Sequence, residues 1–215
     1  MRKLLAVALC FTMFATGCST AWISQAEEII AAVIPATTNI VTLVEALQGK
    51  SISAADLQLI QNAGTQANSD LQLISSLITA YNQAEASAQP GILNQIQTVA
   101  NTVQSNLSAL LPALHITDQA TQAKITAIVG LVVSEVQSLI AIVPLVDPNA
   151  SAAKVAQATR QATKNPPLTA RQFILSYNDN MKAKTGNVTL DKVTSGLQIH
   201  THSKAVRWLT LGYQQ

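Results

Sequence analysis

Few residues in this 215-residue chain have the type and spacing to do chemistry. His200 and His202 stand in Ile199-His200-Thr201-His202. An extended backbone there would place both rings on one side, a spacing that two ligands of a zinc or copper site can use. The nearest acid, Asp191, lies nine residues before His200, and no cysteine is near, so surface histidines are the simpler reading. His115 stands alone in a loop. Glu27-Glu28 is the one adjacent carboxylate pair, and it suits the first turns of a helix, where the dipole favours acids. No G-x-S-x-G, H-E-x-x-H, phosphate-loop or dinucleotide-binding pattern occurs. The residues therefore predict no catalytic group, no metal and no cofactor, and an enzyme of unknown class is only the third reading.

Glu135 is the exception. It sits mid-way along Ile125 to Val146, the most apolar stretch of the chain and long enough to span a bilayer. A carboxylate at a bilayer centre costs at least ~2.5 kcal/mol, and Gln137 adds to that burden. One reading makes this segment the central helix of a bundle, with Glu135 and Gln137 at its polar edge. The other makes residues 125–146 the insertion segment of a membrane-inserting or pore-forming protein. Small residues such as Gly130 and Ser134 would permit close helix contact in either solvent.

The charges are divided along the chain. Residues 19–149 carry nine acids against two bases, whereas residues 150–215 carry nine bases against two acids. Such a split can mark an interaction segment. Arg160, Lys164, Arg171, Lys182 and Lys184 are the candidate polar contacts. The basic segment can fold back on the acidic part, lie on an anionic lipid surface, or meet a protein partner or acidic cell-wall polymer. Its bases are spread out with few aromatics between them, unlike a single-strand stacking platform, and no nucleic-acid partner is expected.

The elements that must position these groups follow from composition and spacing. The chain is 48% hydrophobic but only 4% aromatic and 11% charged, against roughly 25% charged in an average soluble domain. Leu, Ile, Val and Ala with Gln, Asn, Ser and Thr suit helices with uncharged outer faces. Apolar spacing of three and four predicts one helix from Trp22 to Leu47, kinked at Pro35. A second runs from a Ser53 capping box to about Ala88, with a Pro90-Gly91 turn after it. A third ends at Pro112, and a fourth, capped at Thr117 or Asp118, ends at Pro144. Asp147-Pro148 reads as the start of an Ala-rich fifth helix, and Thr169 caps a sixth carrying Phe173, Ile174, Tyr177 and Met181. Residues 188–202 read as a possible short extended segment, and Ser203 as the cap of a last short helix. The fold class is all-α: an antiparallel bundle of about four long helices plus shorter C-terminal helices.

The first 18 residues give an address. Arg2 and Lys3 precede an apolar run from Leu4 to Phe14, and Ala15-Thr16-Gly17 supplies small residues before Cys18. This is the layout of a secretory signal peptide. The segment resembles a bacterial lipoprotein leader, with Ala15 standing where such lipoboxes usually carry Leu. The resemblance implies cleavage before Cys18 and lipidation of its thiol, giving a membrane anchor at the cell envelope. Ser19 after the cysteine then favours an outer membrane, with the body facing the periplasm or cell surface. Ordinary signal peptidase acting at Ala15 and Gly17 would instead release a soluble protein. With Cys10 inside the leader, Cys18 is the one cysteine of the mature chain, so no internal disulfide is available. The expected organisation is a signal peptide over 1–17, an acidic bundle over 18–146 and a basic helical segment over 147–215. The expected function is a lipid-anchored, non-catalytic structural or protein-interaction module.

Overall fold

The computed structural model describes residues 21–47, 52–113, 115–164 and 168–200. Cys18, His202 and the candidate helix after Ser203 lie outside these residues. Seven helices are found among them: α1 Ala21–Ala46, α2 Ala54–Gln83, α3 Gln89–Ala113, α4 Gln119–Val146, α5 Ala152–Lys164, α6 Ala170–Lys182 and α7 Val188–Ser195. No β-strand occurs among the described residues. The fold is an all-α antiparallel bundle.

α1 packs on α2, α2 on α3, α3 on α4, and α4 back on α1. Short connections between consecutive helices make this an up-down-up-down ring around one core. Leu43 and Val44 of α1, Ile60 and Ile74 of α2, Leu93 and Val103 of α3, and Ile128 and Val132 of α4 are fully enclosed. Their apolar spacing is what makes each segment a helix, because only that period gathers them on one face. α6 lies over α1 and α4, α5 runs along α4, and α7 packs on α6 and α1.

α1 passes through Pro35 without a break. Proline leaves the Ala31 carbonyl without its helical donor. The hydroxyls of Thr37 and Thr38 turn back onto the carbonyls of Val33 and Ile34 at 3.0 and 3.1 Å, adding bonds along the same stretch. Where α1 and α2 cross, Gly64 is buried, and a Cβ built there would collide with Cγ2 of Val41. The β-branched Val41 cannot swing aside as a long side chain can. Gly64→Leu is accordingly expected to lower stability by about 1–3 kcal/mol, despite leucine's better helix propensity. Urea unfolding checks this, and an unchanged midpoint would show that the two helices can move apart freely.

Several boundaries differ from expectation. α2 ends at Gln83, and α3 begins at Gln89, so Pro90 occupies a first turn, where its missing N–H costs nothing. α4 continues past Pro144 to Val146. Asp147 caps the end of α4, its N–H reaching the Val143 carbonyl, instead of starting α5. Ser151 takes the latter role, accepting from the Lys154 N–H at 3.3 Å. The extended reading of 188–202 is wrong over Val188–Ser195, which is helix α7. Asn187 caps it by accepting from the Leu190 N–H at 3.1 Å, a local bond that outweighs the β-branched run Val188-Thr189.

Candidate functional site

α5 begins beside the end of α4 and runs back along it; α6 continues toward the start of α4. The pair forms a strap along α4, with α5 ending at Lys164 and α6 beginning at Ala170. Thr169 restarts the strap with a capping box: its hydroxyl accepts from the Gln172 N–H at 3.2 Å, and Gln172 Oε1 accepts from the Thr169 N–H at 2.9 Å.

Glu135 of α4 lies near the Leu168 backbone, just before α6. It is 1% exposed, and neither carboxylate oxygen has a hydrogen-bond partner among the described residues. It points into the interior and not to the polar edge that its spacing suggested. Burial drives its pKa from 4.5 up to about 7, with a small opposing pull from the Leu168 backbone. Ser138, one turn away, cannot help, because its hydroxyl is spent on the Ser134 carbonyl at 3.1 Å. Gly130 and Ser134 instead lie on an exposed strip of α4, and a Cβ at Gly130 would meet nothing within 4 Å. The structure therefore does not bring the three insertion candidates together.

At the other end of the strap, Lys124 is held at 6% exposure. Its ammonium donates to the carbonyls of Met181 and Ala183 at 3.1 and 2.7 Å and to the Thr194 hydroxyl at 3.3 Å. A cation on the last carbonyls of α6 also meets the negative end of that helix dipole. Desolvation lowers the Lys124 pKa, Asp191 nearby opposes this, and Lys184 adds to it. Lys124 thus clips α4 to α6 and α7, a role with no signal in the sequence beyond a lone charge on an apolar helix.

The region after α7 is also tied down. Asn39 of α1 and Tyr177 of α6 both donate to the Leu197 carbonyl, at 2.8 and 3.2 Å. Asn178 and Ile199 exchange two hydrogen bonds, at 2.9 and 2.8 Å. Phe173 and Tyr177 stack with centroids 6.2 Å apart under this segment.

Ser53, Asp56 and His115 meet at the α2 N-terminus. The Ser53 hydroxyl donates to Asp56 Oδ2 at 2.6 Å, and the His115 N–H donates to Asp56 Oδ1 at 3.4 Å, with ring Nδ1 at 3.5 Å from that oxygen. The carboxylate stands between hydroxyl and imidazole, so the ring is not placed to take the serine proton, as a nucleophile–base pair requires. The arrangement is a helix cap. The Ser53 hydrogen bond holds Asp56 below its usual carboxylate range; burial opposes this, and His115 assists.

Arg160, Lys164, Arg171, Lys182 and Lys184 are all exposed, and none forms an ion pair with another described residue. Their side chains are available along the outer side of the strap. His200 is exposed and His115 is 87% exposed at its side chain. No group of three potential metal ligands gathers among the described residues. α1 and α4 are each long and apolar enough to cross a membrane, and half of each apolar window is buried inside the bundle. Comparison with family models, with curated proteins and with solved structures finds no match to the chain.

Proposed function

We propose that this chain is a lipid-anchored cell-envelope protein, a non-catalytic structural or protein-interaction module held at the membrane through Cys18. One observation carries the reading: the basic start, apolar run and small residues ending at Cys18, with α1 beginning at Ala21 immediately after. A thiol at that position has no internal disulfide partner in the mature chain, and acylation gives it a use. Several acyl chains at ~0.8 kcal/mol per buried CH2 hold a protein firmly to a bilayer. An outer-membrane location facing the periplasm or cell surface belongs to the same proposal. The exposed bases Arg160, Lys164, Arg171, Lys182 and Lys184, which pair with no described acid, supply polar contacts to a protein partner or an anionic lipid surface. Cys18→Ser is expected to abolish metabolic fatty-acid labelling and to move the protein out of the membrane fraction. Undiminished labelling would refute the assignment of Cys18.

A second reading, membrane insertion through residues 125–146, draws on Glu135. A buried carboxyl with no side-chain partner among the described residues is a poor fit to the closed bundle when ionised, and its protonation leaves residues 125–146 with no charge at all. Under this reading the protein releases dye from phosphatidylglycerol-containing vesicles more strongly at pH 5 than at pH 8. Intact vesicles at both values would dispose of it.

A further inference from the structure

The exposed bases share their side of the bundle with exposed apolar side chains. On α6, Arg171, Leu175 and Lys182 stand four and seven residues apart, a spacing that gathers all three on one outward stripe of the helix. Leu175 is 54% exposed there, although Phe173, Ile174 and Tyr177 beside it are enclosed. On α7, Val188 is 82% exposed, with exposed Lys192 one turn on. α5 makes its substantial contact with α4 alone and buries only Ala158, which leaves Lys154, Arg160 and Lys164 exposed. Asp179 is the one acid on α5 and α6 together. α2 and α3 reverse the sign, with Asp56 and Asp70 and no base.

Packing also relates this side to the start of the chain. Trp22, at the beginning of α1, meets Tyr81, near the end of α2, edge to face with centroids 5.0 Å apart. In the up-down ring that is also the end at which α4 finishes and α5 begins. Cys18 precedes Ala21 by three residues, a reach of at most ~11 Å. The basic side therefore begins at the end of the bundle nearest Cys18 and runs away from it along α4.

We infer that the α5–α6 side lies on an anionic phospholipid surface, its bases on headgroup phosphates and Leu175 at the edge of the acyl region. The inference rests on the lipid-anchor reading, and adds which side of the bundle faces the bilayer. Bases around a protruding apolar side chain match both layers of such a surface, phosphate outside and hydrocarbon within. An acidic polymer would engage the bases and leave Leu175 in water. A protein partner has to find this side by diffusion, whereas a short tether at Cys18 presents the lipid surface to it at high effective concentration.

Lysine footprinting tests the inference on protein recovered from cell membranes and reconstituted into two kinds of vesicle. One contains phosphatidylethanolamine with phosphatidylglycerol, the other phosphatidylethanolamine with phosphatidylcholine. A membrane-impermeant acylating reagent is read by mass spectrometry on the sedimented fraction. Lys154, Lys164 and Lys182 are expected to react about threefold or more slowly on the phosphatidylglycerol vesicles, and high salt should remove the difference. Leu175→Gln, at an exposed position, should keep the parent's melting curve and lose most of that protection. Arg160→Gln with Arg171→Gln should do the same. Sedimentation with the phosphatidylcholine vesicles reports the acyl anchor by itself, so failure of the anchor and failure of this contact are told apart. Equal labelling on the two vesicles overturns the inference. So does protection that Leu175→Gln leaves intact, which is how a purely ionic contact behaves, or protection found only in native membranes, which would assign this side to a protein.

Discussion

Replacing Glu135 with leucine is expected to raise stability by about 3 kcal/mol more at pH 8 than near pH 4.5. The sign follows from linkage. The carboxyl holds its proton up to about pH 7 in the folded chain but loses it near 4.5 when exposed. Below 4.5 both states are neutral and burial carries no ionic penalty. Between 4.5 and 7 the unfolded chain releases the proton while the folded chain keeps it, so stability falls as pH rises. Above 7 the penalty is at its full value, because the ionised carboxylate is buried with no side-chain partner among the described residues. No charged side chain among the described residues relieves it, since α3 has none and the described bases of α5 and α6 are exposed. Leucine removes the ionisable group at similar volume, which is why it serves better than glutamine, whose amide would again be buried unpaired. Urea unfolding of both chains from pH 5 to pH 8 measures the difference. Asp56, Asp118 and Asp191, all held below the usual carboxylate range by hydrogen bonds, lose their contributions only as pH falls below 3.8, outside that window. Parallel curves would mean that Glu135 has the same environment folded and unfolded.

Tyr177→Ala is expected to cost about 3–5 kcal/mol and to free the basic segment from the bundle. The ring is fully enclosed, stacks on Phe173, and sends its hydroxyl to the Leu197 carbonyl. It is the point where α6, the segment after α7 and, through Asn39, α1 converge. Removing the ring leaves a cavity and a carbonyl short of one donor. Tyr177→Phe, which keeps the ring, should cost only about 1 kcal/mol. Limited proteolysis then separates two pictures of the basic segment. If it is part of the cooperative fold, Tyr177→Ala opens cleavage after residue 164 and lowers the main transition together. A transition unaltered by the alanine would show that α6 rides on a bundle stable without it.

Much of this architecture is legible in the residues alone, for a physical reason. The long helices have apolar side chains every three or four positions, and α2 and α4 have hydroxyl or carboxylate caps at their starts. Ser53, Asp118 and Thr169 each accept from the N–H three residues on, which is a local interaction that sequence spacing reveals. Pro35 inside α1 is readable because the apolar phase continues across it. What spacing cannot reveal is contact across distance. Lys124 meets Met181 and Thr194, 57 and 70 residues away, and His115 meets Asp56, 59 residues away. Glu135 is visible in the sequence as a charge in an apolar run, but its burial at 1% exposure depends on how the other helices pack around α4. Asp147-Pro148 and Val188-Thr189 mislead for another reason: each is a local pattern with two uses, and the neighbouring chain decides between them.

The envelope assignment itself rests on the modification of one residue. Mass spectrometry of the protein recovered from cell membranes tests it most directly. The account predicts a mature chain that begins at Cys18 and carries fatty acyl groups on that residue. A chain still bearing Arg2, Lys3 and the apolar leader, or one trimmed there without lipid, would contradict it.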